Sequence, residues 1–201
     1  MIALPPPRRE SDQSLESVLA GRRSIREFTK VPLSTQDISQ LLWATQGITA
    51  PGGERTTPSA GALYPLEIYV AAGLTALDPA VYHYRPRNHE LVKHADGDLR
   101  SALAGASLKQ ECVRDCAAVI VYAVVYERVT KEYGKDGDIY VHFEVGHACQ
   151  NTCLQATALG LGSVPVGAFH GAEVEKLLKL PPDQRVLYLL PVGNVKPDKD
   201  A

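Results

Sequence analysis

Arg22-Arg23-Ser24-Ile25-Arg26-Glu27-Phe28 and, further on, Thr57-Pro58-Ser59-Ala60-Gly61-Ala62-Leu63-Tyr64-Pro65 are the two stretches on which the reading of this chain turns. The first puts three guanidiniums and a hydroxyl into five positions, after an apolar-patterned run of Leu15, Val18 and Leu19. That is more cation than the end of a helix needs. It suits a phosphate together with an anionic ring edge, because arginine offers paired planar donors and does not lose its charge. The second is a loop of Pro, Ser and Gly just before a β-rich run, where small residues let backbone lie close to a flat ligand.

Outward from these stretches the chain reads as one domain over residues 1–201, with an extended, Pro-rich arm over 1–14. Leu15–Gly21 reads as a short helix. Ser34 caps a second, with Ile38, Leu41, Leu42 and Thr45 on one face and Gly47 as its stop. Leu66–Ala72, Val81–Arg85 and Glu90–His94 read as strands, and Asp98–Gly105 as a helix. Ala117–Tyr126 is an almost continuous apolar, β-branched run that predicts a central strand. Polar Val129–Asp138 reads as a loop or lid, and Ile139–Gly160 as a long buried helix. Ser163–Phe169 and Arg185–Val192 read as strands around a helix over Ala172–Leu180. Strands and helices do not alternate regularly, which predicts an α+β fold.

Composition narrows the function classes. A hydrophobic share of 45%, a charged share of 22% and a net charge of −2 give no electrostatic case for nucleic acid or an anionic membrane surface. The most apolar windows, Ala117–Tyr126 and Val186–Val192, are too short to span a bilayer as helices. With no signal-peptide pattern at the N-terminus, a cytoplasmic location is expected. There is no G-x-G-x-x-G, P-loop or G-x-S-x-G motif, so a Rossmann dehydrogenase, an NTPase and a serine hydrolase lack sequence support. The histidines (83, 89, 94, 142, 147, 170) are scattered with no HExxH, and no metal site is expected. Cys112/Cys116 and Cys149/Cys153 fall at a spacing of four; we read them as small core residues.

The two opening stretches, in this order, resemble the FMN-dependent nitroreductase family, and within it the SagB-type dehydrogenases, which oxidise thiazolines and oxazolines in modified peptides. The resemblance extends through Leu41–Ile48, Glu144-Val145-Gly146-His147-Ala148-Cys149-Gln150-Asn151, Ala158–Gly162, Val164–Phe169 and Pro191-Val192-Gly193. It implies a mixed central sheet flanked by helices, in an intertwined homodimer with two flavins at its interface. It also implies NAD(P)H as co-substrate and a small-molecule acceptor.

The roles it implies are specific. Arg22, Arg23 and Ser24 would hold the FMN phosphate and ribityl hydroxyls. Arg26 would sit at the pyrimidine edge, where a cation favours the reduced flavin. Pro58, Ser59 and Ala60 match a loop contributed from the opposite subunit, although Gly61, Ala62 and Tyr64 stand where many nitroreductases carry Asn and Gln. Pro165, Val166, Gly167 and Ala168 match the segment whose backbone N–H groups face flavin N5 and O4. Gln150 and Asn151 are dimer or ligand contacts, and Lys196 is a candidate phosphate contact.

One position departs from the azoline-oxidising pattern. Those enzymes carry a Lys-Tyr pair shortly before the Glu-x-Gly-His block, acting in proton removal. Here Tyr133 matches, Glu132 holds the lysine position, and Lys131 is displaced by one. The leading expectation is therefore hydride transfer from NAD(P)H through flavin N5 to a nitroaromatic, a quinone or another metabolite. Azoline dehydrogenation using Lys131 and Tyr133 is the alternative, and a non-enzymatic flavin carrier the third.

Overall fold

The computed structural model describes residues 1–195. At its centre lies a seven-stranded sheet in the order β1-β4-β3-β2-β5-β7-β6. The strands are β1 (Ile2–Ala3), β2 (Leu66–Ala72), β3 (Ala80–Arg85), β4 (Glu90–Asp96), β5 (Ala118–Val124), β6 (Leu161–Ser163) and β7 (Arg185–Asn194). Neighbouring strands pair antiparallel throughout. Parallel character enters only through isolated bridges, Ser24 to Ser163 and Leu33 to Thr75.

Every residue of β5 is buried, because helices cover both faces of the sheet. Ile68, Val70, Ile120 and Tyr122 face a core shared with α2 (Thr35–Gln46) and α6 (Asp136–Ala158). Alternate residues Tyr69, Ala71, Val119 and Val121 face a second core under α3 (Arg100–Ala106), α4 (Glu111–Asp115) and α7 (Gly171–Leu177). All four cysteines are free thiols inside these two cores. Burial pushes the Cys112 thiol up and the Cys116 thiol up to about 12, which leaves both unreactive near neutrality.

Helix α1 (Leu15–Gly21) follows the Ser14 cap, and α2 opens on a full capping box between Ser34 and Asp37. The N-terminal arm is fixed at the edge of the sheet. Ile2 pairs with Leu91, and Arg8 exchanges backbone hydrogen bonds with the Gln40 amide at 2.7 and 3.0 Å.

Two segments differ from the sequence expectation. Residues 129–138 are not a loop: α5 (Glu127–Tyr133) runs to Gly134, and α6 begins at Asp136. Glu127, Arg128 and Lys131 are good helix formers, and Glu127 and Lys131 pair at i,i+4. Val129 alone anchors the turn in the core. Gly137 lets the two helices meet, since a Cβ there would lie 2.9 Å from Thr130 Cα. The second difference is at Ser163–Phe169, where the regular strand ends at Ser163. Pro165 has no N–H to give the ladder. Val166 rejoins β7 through a reciprocal pair with Leu189, at 2.8 and 3.0 Å, and the chain then leaves the sheet again. The short α4 had no counterpart in the sequence reading.

Candidate active site

Arg22 ends α1, its N–H bonded back to the Val18 carbonyl. The chain then turns along the sheet edge, where Ser24 bridges Ser163 in parallel and Ile25 N–H donates to Ser163 O at 3.0 Å. Ser163 directly precedes Val164 and Pro165. Backbone pairing thus brings the Arg22–Arg26 cluster beside Pro165–Ala168. Gly162 makes the approach possible, because a Cβ there would lie 2.7 Å from Ile25 Cγ2.

Among the described residues, Arg22, Arg23 and Arg26 form no ion pair with any carboxylate. Arg26 does not take up its neighbour Glu27. Arg23 only turns one nitrogen back onto the Ala20 and Arg22 carbonyls, at 2.9 and 2.8 Å. On the adjoining ledge Val164 and Val166 are buried while Pro165, Gly167 and Ala168 are exposed. No carbonyl among the described residues accepts from the Gly167 or Ala168 N–H. Free cations and free amide donors on one exposed edge fit a flat, anionic, phosphate-bearing cofactor.

A second group of candidates gathers at α6. Asn151 donates to Thr56 O and Thr57 Oγ1, at 3.2 and 3.1 Å, and Thr57 donates to Thr45 O. The role of Asn151 within the chain is therefore to hold the start of the Pro58–Ala60 loop; Gln150, next to it, is exposed. The loop is tightly wound. Ser59 Oγ accepts from Tyr64 N–H at 2.9 Å, and Gly61, Ala62 and Tyr64 all have positive φ (58°, 53° and 47°). Two of these are not glycine, and such backbone costs of order 1 kcal/mol or more each. Tyr64 is held by Arg55, stacked 4.2 Å over its ring, and by Arg128, which donates to its carbonyl.

Tyr133 reaches this loop: a Cβ on Gly61 would lie 2.9 Å from its hydroxyl. Its ring packs edge-on against Tyr140, with centroids 5.2 Å apart. Lys131 does not come with it. It lies on α5, exposed, and pairs with Glu127 at 3.2 Å. Lys196 lies outside the described residues.

The sequence reading quoted Glu144 and gave it no role. In the structure it is 3% exposed, on the wall of a cleft of about 270 Å³ with Pro58, Ser59, Ala60, Tyr140 and Phe143. Burial raises its carboxyl to about 7, against opposing hydrogen bonds from Ser59 and Gln46. Gln46 also accepts from Arg55 Nη1 at 2.9 Å and donates to Glu144 at 3.4 Å, wiring the two charges together. A lone Glu amid small and apolar helix residues was the available signal. Its partners, from α2 and the loop after it, were not visible in sequence.

The Nitroreductase family pattern matches residues 19–194, almost all of the fold just described. The chain belongs to the nitroreductase family. A Methanocaldococcus jannaschii protein carrying the nitroreductase name is 45% identical over 181 residues, covering 90% of each chain. A Ralstonia eutropha structure described as a nitroreductase superposes with a TM-score of 0.86 at 27% identity, over 98% of this chain and 90% of that one. The microcin B17-processing protein McbC of Escherichia coli is 29% identical over 187 residues, covering 85% of this chain and 65% of that protein. The last match agrees with the resemblance to the SagB-type branch. Among the described residues no helix is long and apolar enough to cross a membrane.

Proposed function

We propose that this nitroreductase-family oxidoreductase binds FMN on the edge formed by Arg22–Arg26 and Pro165–Ala168, and uses NAD(P)H to reduce a small acceptor such as a quinone or nitroaromatic. The observation that carries this reading is the Ser24–Ser163 bridge, which sets three unpaired guanidiniums beside two free backbone amides. FMN held there would supply two-electron hydride acceptance and donation. Arg22, Arg23 and Ser24 hold the phosphate end by charge-assisted hydrogen bonds. Arg26 places fixed positive charge at the pyrimidine edge, and the Gly167 and Ala168 amides orient the ring.

The protein acts as a homodimer in this reading. Ile139 and Phe143 on α6 are 52% and 57% exposed, and Leu15 and Leu19 on α1 are exposed as well. Apolar surface of this kind marks an interaction face. The Pro58–Ala60 loop then meets the partner's cofactor, and Glu144 goes with it. Two-electron reduction of a quinone or nitro group also consumes protons. A buried carboxylic acid poised near neutral pH is matched to donating one.

The azoline-dehydrogenase reading is weaker. Tyr133 stands at the loop, but Lys131 is turned to Glu127 in solvent, so the Lys-Tyr pair is not assembled. The test is the visible spectrum of purified protein. Flavin bands that bleach anaerobically with NADH or NADPH and return with a quinone are expected; protein without flavin, or flavin that neither nicotinamide bleaches, would overturn the proposal.

A further inference from the structure

A second cavity lies away from the proposed flavin edge. It encloses about 540 Å³ between the loop after α2 and the β2–β3–β4 end of the sheet, within the roughly 300–1,000 Å³ of small-molecule sites. Four arginines line it: Arg55, Arg85, Arg87 and Arg128. Only Arg128 is answered by a carboxylate among the described residues, through its contact with Glu67. Glu67 is also committed to His83 at 2.6 Å. The cavity's other carboxylate, Glu90, accepts from Asn88.

Arg55 is the informative one. It is partly buried, and among the described residues its only side-chain hydrogen bond goes to the neutral Gln46 amide. Its Nε is buried and has no hydrogen-bond partner among the described residues. Burial depresses its pKa; the Tyr64 ring stacked 4.2 Å away, and Glu144 and Glu67, which form no ion pair with it, offset this only in part. A desolvated guanidinium without an adjacent counter-charge is costly to keep, and the fold keeps it on the wall of an open cavity. Beside the polar Gln46, Glu67, Asn88 and Glu90, the wall has an apolar part made by Leu66, Ile68, Val92 and the buried Tyr84 ring.

We propose that this cavity binds an organic carboxylate, its charged end on the guanidinium of Arg55 and its apolar body along Leu66, Ile68 and Tyr84. The planar fork of arginine matches a carboxylate in two parallel hydrogen bonds. Arg85 and Arg87 at the rim add attraction for the anion from solvent. The apolar part of the wall, Leu66, Ile68 and Tyr84, favours an organic acid over a bare inorganic ion. None of the residues assigned to the flavin line this cavity, so the inference stands apart from the proposed cofactor. Gln46 joins the cavity to the Glu144 cleft, which makes the ligand either a regulator of the site or the anionic part of a substrate.

The experiment is calorimetric titration of the protein as purified with octanoate, with neutral octanamide and inorganic phosphate as controls and the visible spectrum recorded throughout. Saturable octanoate binding at one per chain is expected, with octanamide at least tenfold weaker, phosphate not competing and any flavin bands unperturbed. Arg55→Gln should weaken octanoate about 10- to 100-fold. Should that variant not fold, Arg87→Gln at the exposed rim should weaken it two- to fivefold. No saturable octanoate binding, equal competition by phosphate, or unchanged affinity in both variants would overturn the proposal. Loss of the flavin bands as octanoate is added would mean that octanoate takes the flavin's site and would likewise overturn it, whereas protein purified without flavin bands that binds octanoate as expected would count against the cofactor assignment alone.

Discussion

The proposed flavin edge and the Glu144 cleft treat charge in opposite ways. At Arg22–Arg26 the charge is exposed, unpaired and positioned by backbone, through one parallel bridge to Ser163. Around Glu144 the charge is buried and positioned by side chains, through Gln46, Ser59 and Arg55. An exposed unpaired cation costs the folded chain little and keeps its capacity for a ligand. A buried titratable acid costs stability whenever it ionises, and in return carries a proton near neutral pH. In the proposed function the first region binds the cofactor and the second holds a proton.

The largest expected effect tests the first half of that contrast. Arg22→Ala with Ser24→Ala removes two ligand contacts, each worth about 1.5–3 kcal/mol if charge-assisted. Flavin affinity should fall at least a hundredfold, with unfolding by urea nearly unchanged because neither arginine nor serine side chain supports the fold. Fluorescence titration with FMN measures it. Undiminished flavin binding would remove the edge from the site.

Second in size is Glu144→Gln. The folded-state value of about 7 lies above the ordinary 4.5, so this group favours folding most fully below pH 4.5. Its contribution is lost as pH rises through 7. At about 1.4 kcal/mol per pH unit, wild type should lose up to about 3 kcal/mol relative to the glutamine variant between pH 4.5 and pH 8. Urea unfolding of both proteins at several pH values reads this directly. Parallel curves would mean that the cleft holds no titrating acid, and the contrast between the regions would collapse.

The two regions also differ in how much of them the sequence displays. Local signals were legible: the Ser34 cap, the Leu15–Gly21 helix and the apolar run of β5 all occupy their expected positions. So was the Arg22–Arg26 cluster, since free surface charge in a short run needs no tertiary partner to be noticed. The Glu144 network was not, because Gln46 is 98 residues away in the chain. The α5 helix was missed for a related reason. The polar run that includes Lys131, Glu132, Lys135 and Asp136, broken by Gly134 and Gly137, looks like a loop until Val129 is known to be buried.

A third, smaller effect probes the ledge. Gly167→Val places a Cβ 3.3 Å from the Tyr188 ring and its methyls on an exposed surface. The ring must give by only a few tenths of an ångström, so stability should fall by no more than about 1 kcal/mol. Flavin affinity should drop about tenfold, as branched carbon displaces the flat ring from the amides. Equal affinity in the variant would mean that the cofactor does not lie on this ledge.

The smallest effect separates the two enzymatic readings. Lys131 sits on α5, 74% exposed, in an i,i+4 pair with Glu127. Such pairs contribute about 0.3–0.5 kcal/mol, so Lys131→Ala should shift unfolding by no more than that. Residues two apart on a helix point to nearly opposite sides. With Tyr133 turned to Gly61, Lys131 is carried away from the loop and pairs with Glu127 instead. Nicotinamide-driven quinone reduction should therefore be unchanged in Lys131→Ala. Azoline oxidation should be slow in wild type, because a positioned base contributes about 10²–10⁴-fold and none is assembled. Glu132→Lys moves a lysine next to Tyr133 in sequence and should raise azoline turnover if that chemistry is latent in the fold. Rapid azoline oxidation by wild type, lost in Lys131→Ala, would mean that α5 rearranges on binding substrate and that the peptide reading outranks the quinone one.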